Sequence, residues 1–278
     1  MTTTLLLALA LAQTSVSFRK EPPRAGERWV QTDSLAASLT VSFGSKERPD
    51  EVPPEFRSGL EKKDRETCLL EIEALDATGK LALTYREKGS FHRAPVLGDI
   101  EKKSPVAGKT YHVGAGAGEP RVTRPDGRAA PEREAAIVAR DAAGIGALAA
   151  VLPDRPMREG ESLAMDAAAA RRLLGDLADT QDGGAVESMT LTLRGAAAEG
   201  ARFDVAIRFA GLRLVDDRPL RTTAELKGEA LVAPESGRLV RLTAEGTFRL
   251  AAPPDEEGLE ITGAGSLRIE RAVRAAVR

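Results

Sequence analysis

The sequence predicts a mainly β protein, a curved antiparallel sheet forming a half-barrel, with two helices covering its concave face. Three observations predict it. From Val240 to Leu250 the even positions read Val240, Leu242, Ala244, Gly246, Phe248 and Leu250, while Arg241, Thr243, Glu245, Thr247 and Arg249 fill the odd ones. Such a period of two buries one face and solvates the other. The pattern recurs in neighbouring segments joined by short turns, the sequence form of a meander. Two helical stretches interrupt the series, each with an apolar side.

Taken in order, residues 1–12 read as a signal peptide. Leu5 to Ala12 is an apolar run too short to span a bilayer, and Ala10-Leu11-Ala12 is a small-x-small cleavage pattern before Gln13. A polar, proline-bearing linker over 13–28 leads into one β-rich domain, 29–278. Leu35, Ala37, Leu39, Val41 and Phe43 alternate with Ala36, Ser38, Thr40 and Ser42 as a strand. Ser45 to Lys63, charged and carrying Pro49, Pro53 and Pro54, reads as a loop. Cys68 to Ala74 and Leu81 to Arg86, joined by Asp76-Ala77-Thr78-Gly79, form a hairpin. Gly108 to Val113 is a further strand, and Arg121 to Thr123 pairs nearby before the Pro125-Asp126-Gly127 turn.

Pro131 opens a helix with Glu132 and Glu134 in its first turn, where the dipole favours them. Val138, Ala142, Ile145, Ala149 and Leu152 share one face of it. Gly144 and Gly146 weaken it by about 1 kcal/mol each relative to alanine, which fits either close packing or a break. Pro153-Asp154-Arg155-Pro156 ends this helix, and Asp166 caps a second, Ala167 to Leu177. Beyond Gly183-Gly184 the chain is all β. Met189, Leu191 and Leu193 lead to Phe203, Val205, Ile207 and Phe209, then to Ala224, Leu226, Gly228, Ala230 and Val232. Pro234-Glu235-Ser236-Gly237 turns into the strand described first, and Ile261, Gly263, Gly265, Leu267 and Ile269 close the series.

Glycine inside a strand marks a bend, a bulge or close packing. Gly228, Gly246, Gly263 and Gly265 all fall on the apolar face and would let the sheet curl. Two readings of that face follow: a core filled under the helices, or a concavity open to an apolar ligand. In the second, Ile207, Phe209, Leu226, Leu242, Phe248 and Leu267 line the site with those glycines. The helix carrying Val138, Ile145, Leu148 and Leu152 then acts as a lid.

Composition excludes several classes. A formal net charge of −2 over 278 residues and 4% aromatics leave neither an electrostatic footprint nor stacking platforms for nucleic acid. Beyond the leader, no stretch is apolar enough to anchor the chain in a membrane. The single cysteine, Cys68, permits no intramolecular disulfide and shares a strand face with Leu70 and Ile72, as a small buried hydrophobe does.

No motif for catalysis or a cofactor stands up. Gly108-Lys109-Thr110 lacks the earlier glycine of a phosphate loop, since Lys103 holds that position, and Tyr111-His112-Val113 continues as strand rather than helix. Gly114-Ala115-Gly116-Ala117-Gly118 runs into Pro120 instead of a helix N-terminus, and reads as a hairpin tip. His92, in a loop region, and His112, on the polar side of its strand, have no zinc-ligand spacing. No Gly-x-Ser-x-Gly elbow is present, and only these two histidines could complete a serine triad. Asp216-Asp217 and Asp255-Glu256-Glu257 read as solvated acidic turns, and Trp29 and Tyr111 as anchors of the sheet. No metal and no cofactor is expected.

Two stretches carry a resemblance. Gly108-Lys109-Thr110-Tyr111 leads through Val122 and Asp126-Gly127 to an acidic helix start. Leu152-Pro153-Asp154-Arg155-Pro156-Met157-Arg158-Glu159-Gly160-Glu161-Ser162-Leu163 then precedes a leucine-rich helix and strands. Over Gly108 to Ile269 this resembles a loosely defined group of secreted or periplasmic bacterial proteins, although Leu163 stands where that group has tryptophan. Such proteins look similar to the lipoprotein-carrier half-barrel class, which implies binding of acyl chains or other apolar ligands. No catalytic residue carries over.

The expected function is therefore non-catalytic binding of a lipid or other apolar small molecule by a periplasmic or secreted protein. The alternative is a structural protein of the cell envelope that docks a protein partner through a sheet edge. An enzyme ranks third, and a cleft gathering His92 or His112 with several carboxylates is the observation that would revive it.

Overall fold

Alternation in the sequence becomes one strand after another. The computed structural model describes residues 15–45, 59–76, 78–94, 98–114, 120–179, 184–215, 218–254 and 258–276. The chain runs through β1 (Ser15–Val16), β2 (Arg28–Ser45), β3 (Leu60–Ala74), β4 (Leu81–Ala94), β5 (Gly98–Lys103), β6 (Thr110–Gly114) and β7 (Arg121–Thr123). A crossing segment follows, with α1 (Glu132–Gly144), α2 (Ala147–Val151), β8 (Met157–Arg158), β9 (Ser162–Met165), α3 (Ala167–Leu174) and a 3-10 turn, Gly175–Ala178. The last part is β10 (Ala185–Ala197), β11 (Gly200–Val215), β12 (Arg218–Ala233), β13 (Arg238–Ala252) and β14 (Leu259–Ala275).

Twelve strands form one open antiparallel sheet in the order β7-β6-β4-β3-β2-β14-β13-β12-β11-β10-β9, with β5 also paired to β4. It is two meanders joined at their outer chain ends. β2 and β14 pair along their whole length, from Trp29 opposite Ala275 to Ser45 opposite Leu259. The curved sheet with helices on one face is the predicted fold class. The strands come closest at the predicted glycines. A Cβ at Gly228, Gly246 or Gly265 would lie 1.8, 1.9 or 1.8 Å from the carbonyl oxygen of Thr243, Glu225 or Ser38 on the next strand. Only glycine permits that approach.

The helices divide the inner face into two cores. Leu148 and Leu152 at the second helix and Leu173, Leu174 and Leu177 at the third pack on β10 to β14 with Phe203, Ile207 and Phe248. Val138 of α1 packs instead with Trp29, Leu70, Ile72, Leu83, Tyr85 and Tyr111. The helix expected from Pro131 to Leu152 is thus two. Ile145 is extended (φ −71°, ψ 114°) and Gly146 is left-handed (φ 79°), so each piece reaches its own core. Gly144 has the other proposed role, since a Cβ there would meet the Arg172 carbonyl of α3 at 3.0 Å.

Other expectations shift at their edges. The helix expected over Ala167 to Leu177, α3, keeps Asp166 as its cap, which accepts from the Ala169 N–H at 2.8 Å, but turns to 3-10 geometry after Leu174. The segment read as a linker over 13–28 contributes Val16 and Phe18 to the core, and the Phe18 and Phe203 rings lie 5.9 Å apart. Strand β3 begins at Leu60, inside the stretch read as a loop, and β4 continues to Ala94, so His92 is a strand residue. The leader expected over residues 1–12 lies outside the described residues. No helix among the described residues is long and apolar enough to cross a membrane.

Candidate functional site

The residues singled out as lining a ligand come together, but they touch one another. Ile207, Phe209, Leu226, Leu242, Phe248 and Leu267 are each 2% exposed or less and share one core with Leu148 and Leu152. Gly228, Gly246 and Gly265 serve the close approach of strands, and a Cβ at Gly263 would meet Leu39 Cδ1 at 3.2 Å. Of the two readings of this face, the filled core describes what lies under α2 and α3. Of the expected lid residues, Val138 is buried in the second core and Ile145 packs at its margin.

The inner face changes character toward β3, β4 and β5. Register carries the alternation of β2, with Trp29, Gln31, Asp33, Leu35, Ala37 and Leu39 inward, onto Ile72, Leu70, Cys68, Glu66, Asp64 and Lys62 of β3. A bulge between Leu69 and Leu70 lets β4 follow, with Lys88, Ser90 and His92 opposite Cys68, Glu66 and Asp64. Half of β3 and of β4 thus presents apolar residues to the helices, and the other half presents polar and charged ones. Between this polar half and the helical layer lies a cavity of about 430 Å³. Its wall includes Cys68, Pro105, Ile137 and Leu177 as apolar groups, the cations Lys102, Lys103 and Arg133, the acids Asp33, Glu66, Asp176 and Asp179, and the Ser90 hydroxyl.

Buried ion pairs fix the helices to the sheet beside this cavity. Lys88 reaches Asp141 of α1 at 2.6 Å and Asp176 of the 3-10 turn at 2.5 Å, and the Tyr85 hydroxyl donates to Asp141 at 2.7 Å. Arg140 holds the other oxygen of Asp176. Burial disfavours the Lys88 ammonium, yet the two carboxylates outweigh it and leave its pKa raised. Burial also raises the pKa of Asp141, against the pull of Lys88. The Cys68 thiol is pushed up to about 12, chiefly by burial. Cys68 is thus half-buried in a cavity wall rather than the buried hydrophobe expected, with its thiol held in the neutral form.

Comparison with known proteins adds little to this geometry. No family model matches the chain, and no curated protein does. A solved structure described as lipid–protein interactions in lipovitellin is similar over 92% of this chain, with a TM-score of 0.44 and 10% identity. The chain spans 26% of that protein's length.

Other residues flagged in the sequence have structural places. Trp29 is buried with the Arg238 guanidinium 4.3 Å from its ring, and the Tyr111 hydroxyl donates to Glu134 at 2.7 Å. Gly108 to Thr110 leads into β6, as expected of a strand. His112 pairs across from Thr123 on β7. Asp216-Asp217 and Asp255-Glu256-Glu257 lie outside the described residues, as do Ala115 to Glu119 at the expected hairpin tip. Among the described residues no group of three or more His, Cys, Asp or Glu side chains is arranged to hold a metal.

Sequence reasoning missed Lys62, Asp64, Glu66, Lys88 and Ser90. The signal was present: continuing the Cys68, Leu70, Ile72 alternation backwards puts Glu66, Asp64 and Lys62 on the same inward face. Charge on a buried face announces either an ion-pair network or a site.

Proposed function

We propose that this chain is an extracytoplasmic binding protein that holds a small molecule with an apolar body and an anionic end, such as an acyl carboxylate. The observation that carries this reading is the make-up of the 430 Å³ cavity wall. Cys68, Pro105, Ile137 and Leu177 receive an apolar body; of the acids in the wall, Asp33 is paired with Arg271 and Asp176 with Lys88 and Arg140, whereas Lys102, Lys103 and Arg133 make no ion pair among the described residues. Small-molecule sites commonly occupy roughly 300–1,000 Å³ and combine an apolar wall with a few placed polar groups. Apolar surface leaving water there gains about 25 cal/mol per Å². A location outside the cytoplasm is supported by the Leu5 to Ala12 run and the small-x-small pattern ending it.

The site so proposed lies beside the apolar strip of β11 to β14, whose side chains already fill one another's space. A docking role through a sheet edge finds less support. The strand order ends on β7, of three residues, and β9, of four, while β5, of six, is an edge beside β4, and short edges are poor templates for an added strand.

The test is native mass spectrometry of protein purified from its own envelope, followed by organic extraction and by titration with a fluorescent C12 fatty acid. A stoichiometric adduct and saturable binding are expected. Affinity should fall at least tenfold in the Lys102→Glu/Lys103→Glu variant and in Ile137→Trp, which fills the cavity. A clean apo mass together with no saturable binding would overturn the reading.

A further inference from the structure

The polar half of the inner face holds a hydrogen-bonded chain of three side chains. His92 Nδ1 lies 2.9 Å from Asp64 Oδ1, and His92 Nε2 lies 3.1 Å from Ser90 Oγ. A carboxylate only accepts, so Nδ1 carries the proton and donates to Asp64. In the neutral ring Nε2 is then bare and accepts from the Ser90 hydroxyl. Lys62 Nζ contacts the second Asp64 oxygen at 2.9 Å, so both oxygens of this buried carboxylate are engaged. Asp64 is 5% exposed, which holds the ring from behind, while Ser90 opens on the cavity wall.

We infer that Ser90, His92 and Asp64 form a nucleophilic hydrolytic site, with esters of acyl carboxylic acids as its substrate class. Ser90 and His92 are the catalytic residues and Asp64 is a positioning residue that fixes the tautomer of His92. The Ser90 Oγ bonds to the ester carbonyl carbon as its proton passes to His92 Nε2. The tetrahedral oxyanion collapses, the bond to the alcohol oxygen breaks, and His92 returns the proton to the leaving alkoxide. Water then adds to the acyl-serine, giving its proton to His92, and the serine leaves with that proton as the acid is released. Ester and water become acid and alcohol, with the side chains restored.

Two charged residues flank Ser90 directly across the sheet. Lys102 of β5 faces it on one side and Glu66 of β3 on the other. Lys102 supplies positive charge for the oxyanion, a role that elsewhere falls to backbone N–H groups. The choice of acyl substrate rests on the cavity reading above, whereas the reactivity of Ser90 does not.

The test is labelling of the full chain with an alkyl fluorophosphonate, which phosphonylates activated serines with loss of fluoride. Intact mass and peptide mapping locate the adduct. One adduct on Ser90 is expected, absent in Ser90→Ala and formed at least tenfold more slowly in His92→Gln and Asp64→Asn. Hydrolysis of a p-nitrophenyl acyl ester should fall in parallel, and circular dichroism checks that each variant is folded. Should Asp64→Asn fail to fold, Ser90→Ala and His92→Gln still decide the matter. An unlabelled wild-type protein, or an adduct that persists in Ser90→Ala, would falsify the inference. Labelling without retained ligand overturns only the cavity reading, and ligand retention without labelling overturns only this one.

Discussion

Arg271 on β14 grips Asp33 on β2 through two parallel hydrogen bonds, Nε to Oδ1 at 2.7 Å and Nη2 to Oδ2 at 2.8 Å. The same guanidinium donates to the carbonyl oxygens of Leu173 and Leu174, the latter at 3.0 Å. These carbonyls lie at the end of α3, where the α-helical ladder gives way to the 3-10 turn. One side chain thus ties β2 and β14 to each other and to the helical layer, and its positive charge suits the helix C-terminus. Burial opposes its charge, but Asp33 more than compensates and leaves the pKa raised.

Replacing Arg271 by methionine should cost about 3 kcal/mol, because the largely buried Asp33 carboxylate loses its cation and keeps only the Gln31 amide. Adding Asp33→Leu should recover a good part of the loss, since no uncompensated charge remains. Urea unfolding of the wild type, both single variants and the double variant measures the cycle. Equal stabilities throughout would show that the pair contributes nothing.

Lys88 gives a pH signature. Its folded pKa is raised above the unfolded value of about 10.4, so its stabilising effect is complete below that pH and is lost as pH climbs through the folded value. In Lys88→Met the Asp141 and Asp176 carboxylates lose their shared cation, at a cost of about 3–5 kcal/mol near pH 7. Asp141 already has a raised pKa, so the folded state takes up protons before the unfolded one does. The deficit of the variant should therefore shrink as pH falls from 7 toward 4. A deficit independent of pH would assign the loss to packing of the lysine stem instead.

Cys68 should resist alkylation. With its thiol at about 12, the thiolate fraction at pH 8 is far below that of a free cysteine near 8.5. Reaction with iodoacetamide should be slowed roughly a thousandfold in the folded protein and restored in urea. A fast folded-state reaction would mean that the cavity wall is wetter and more open than its geometry implies.

Gly246→Ala tests the bend. Its Cβ would start 1.9 Å from the Glu225 carbonyl oxygen, so a strand must move, at a cost of at least about 3 kcal/mol. Gly44→Ala is the control: its Cβ would sit 3.5 Å from the Glu260 side chain, and a change within about 1 kcal/mol is expected. Thermal melts of the two variants compare them directly.

Much of the sheet was legible because burial is written locally. Val240 to Leu250 alternates as one strand face, and β13 runs Arg238–Ala252. Asp166 caps its helix through its own side chain, an interaction confined to three residues. The break at Gly146 was readable only as one of two options, because the choice depended on two cores lying on either side of it. Lys62 to Glu66 escaped notice because a face that begins charged and ends apolar has no clean period.

By itself, the sequence determined the strands, their inward glycines, the turns and the presence of two covering helical stretches. Each follows from which side of a short segment meets water. Only the tertiary structure decided what the inner face does. Arg271 and Asp33 are 238 residues apart, and His92 and Asp64 are 28 apart on different strands. Such pairs exist only once register sets one strand against the next. Whether large side chains fill a concavity or leave 430 Å³ beside it depends on how helices and sheet meet, which no local pattern records.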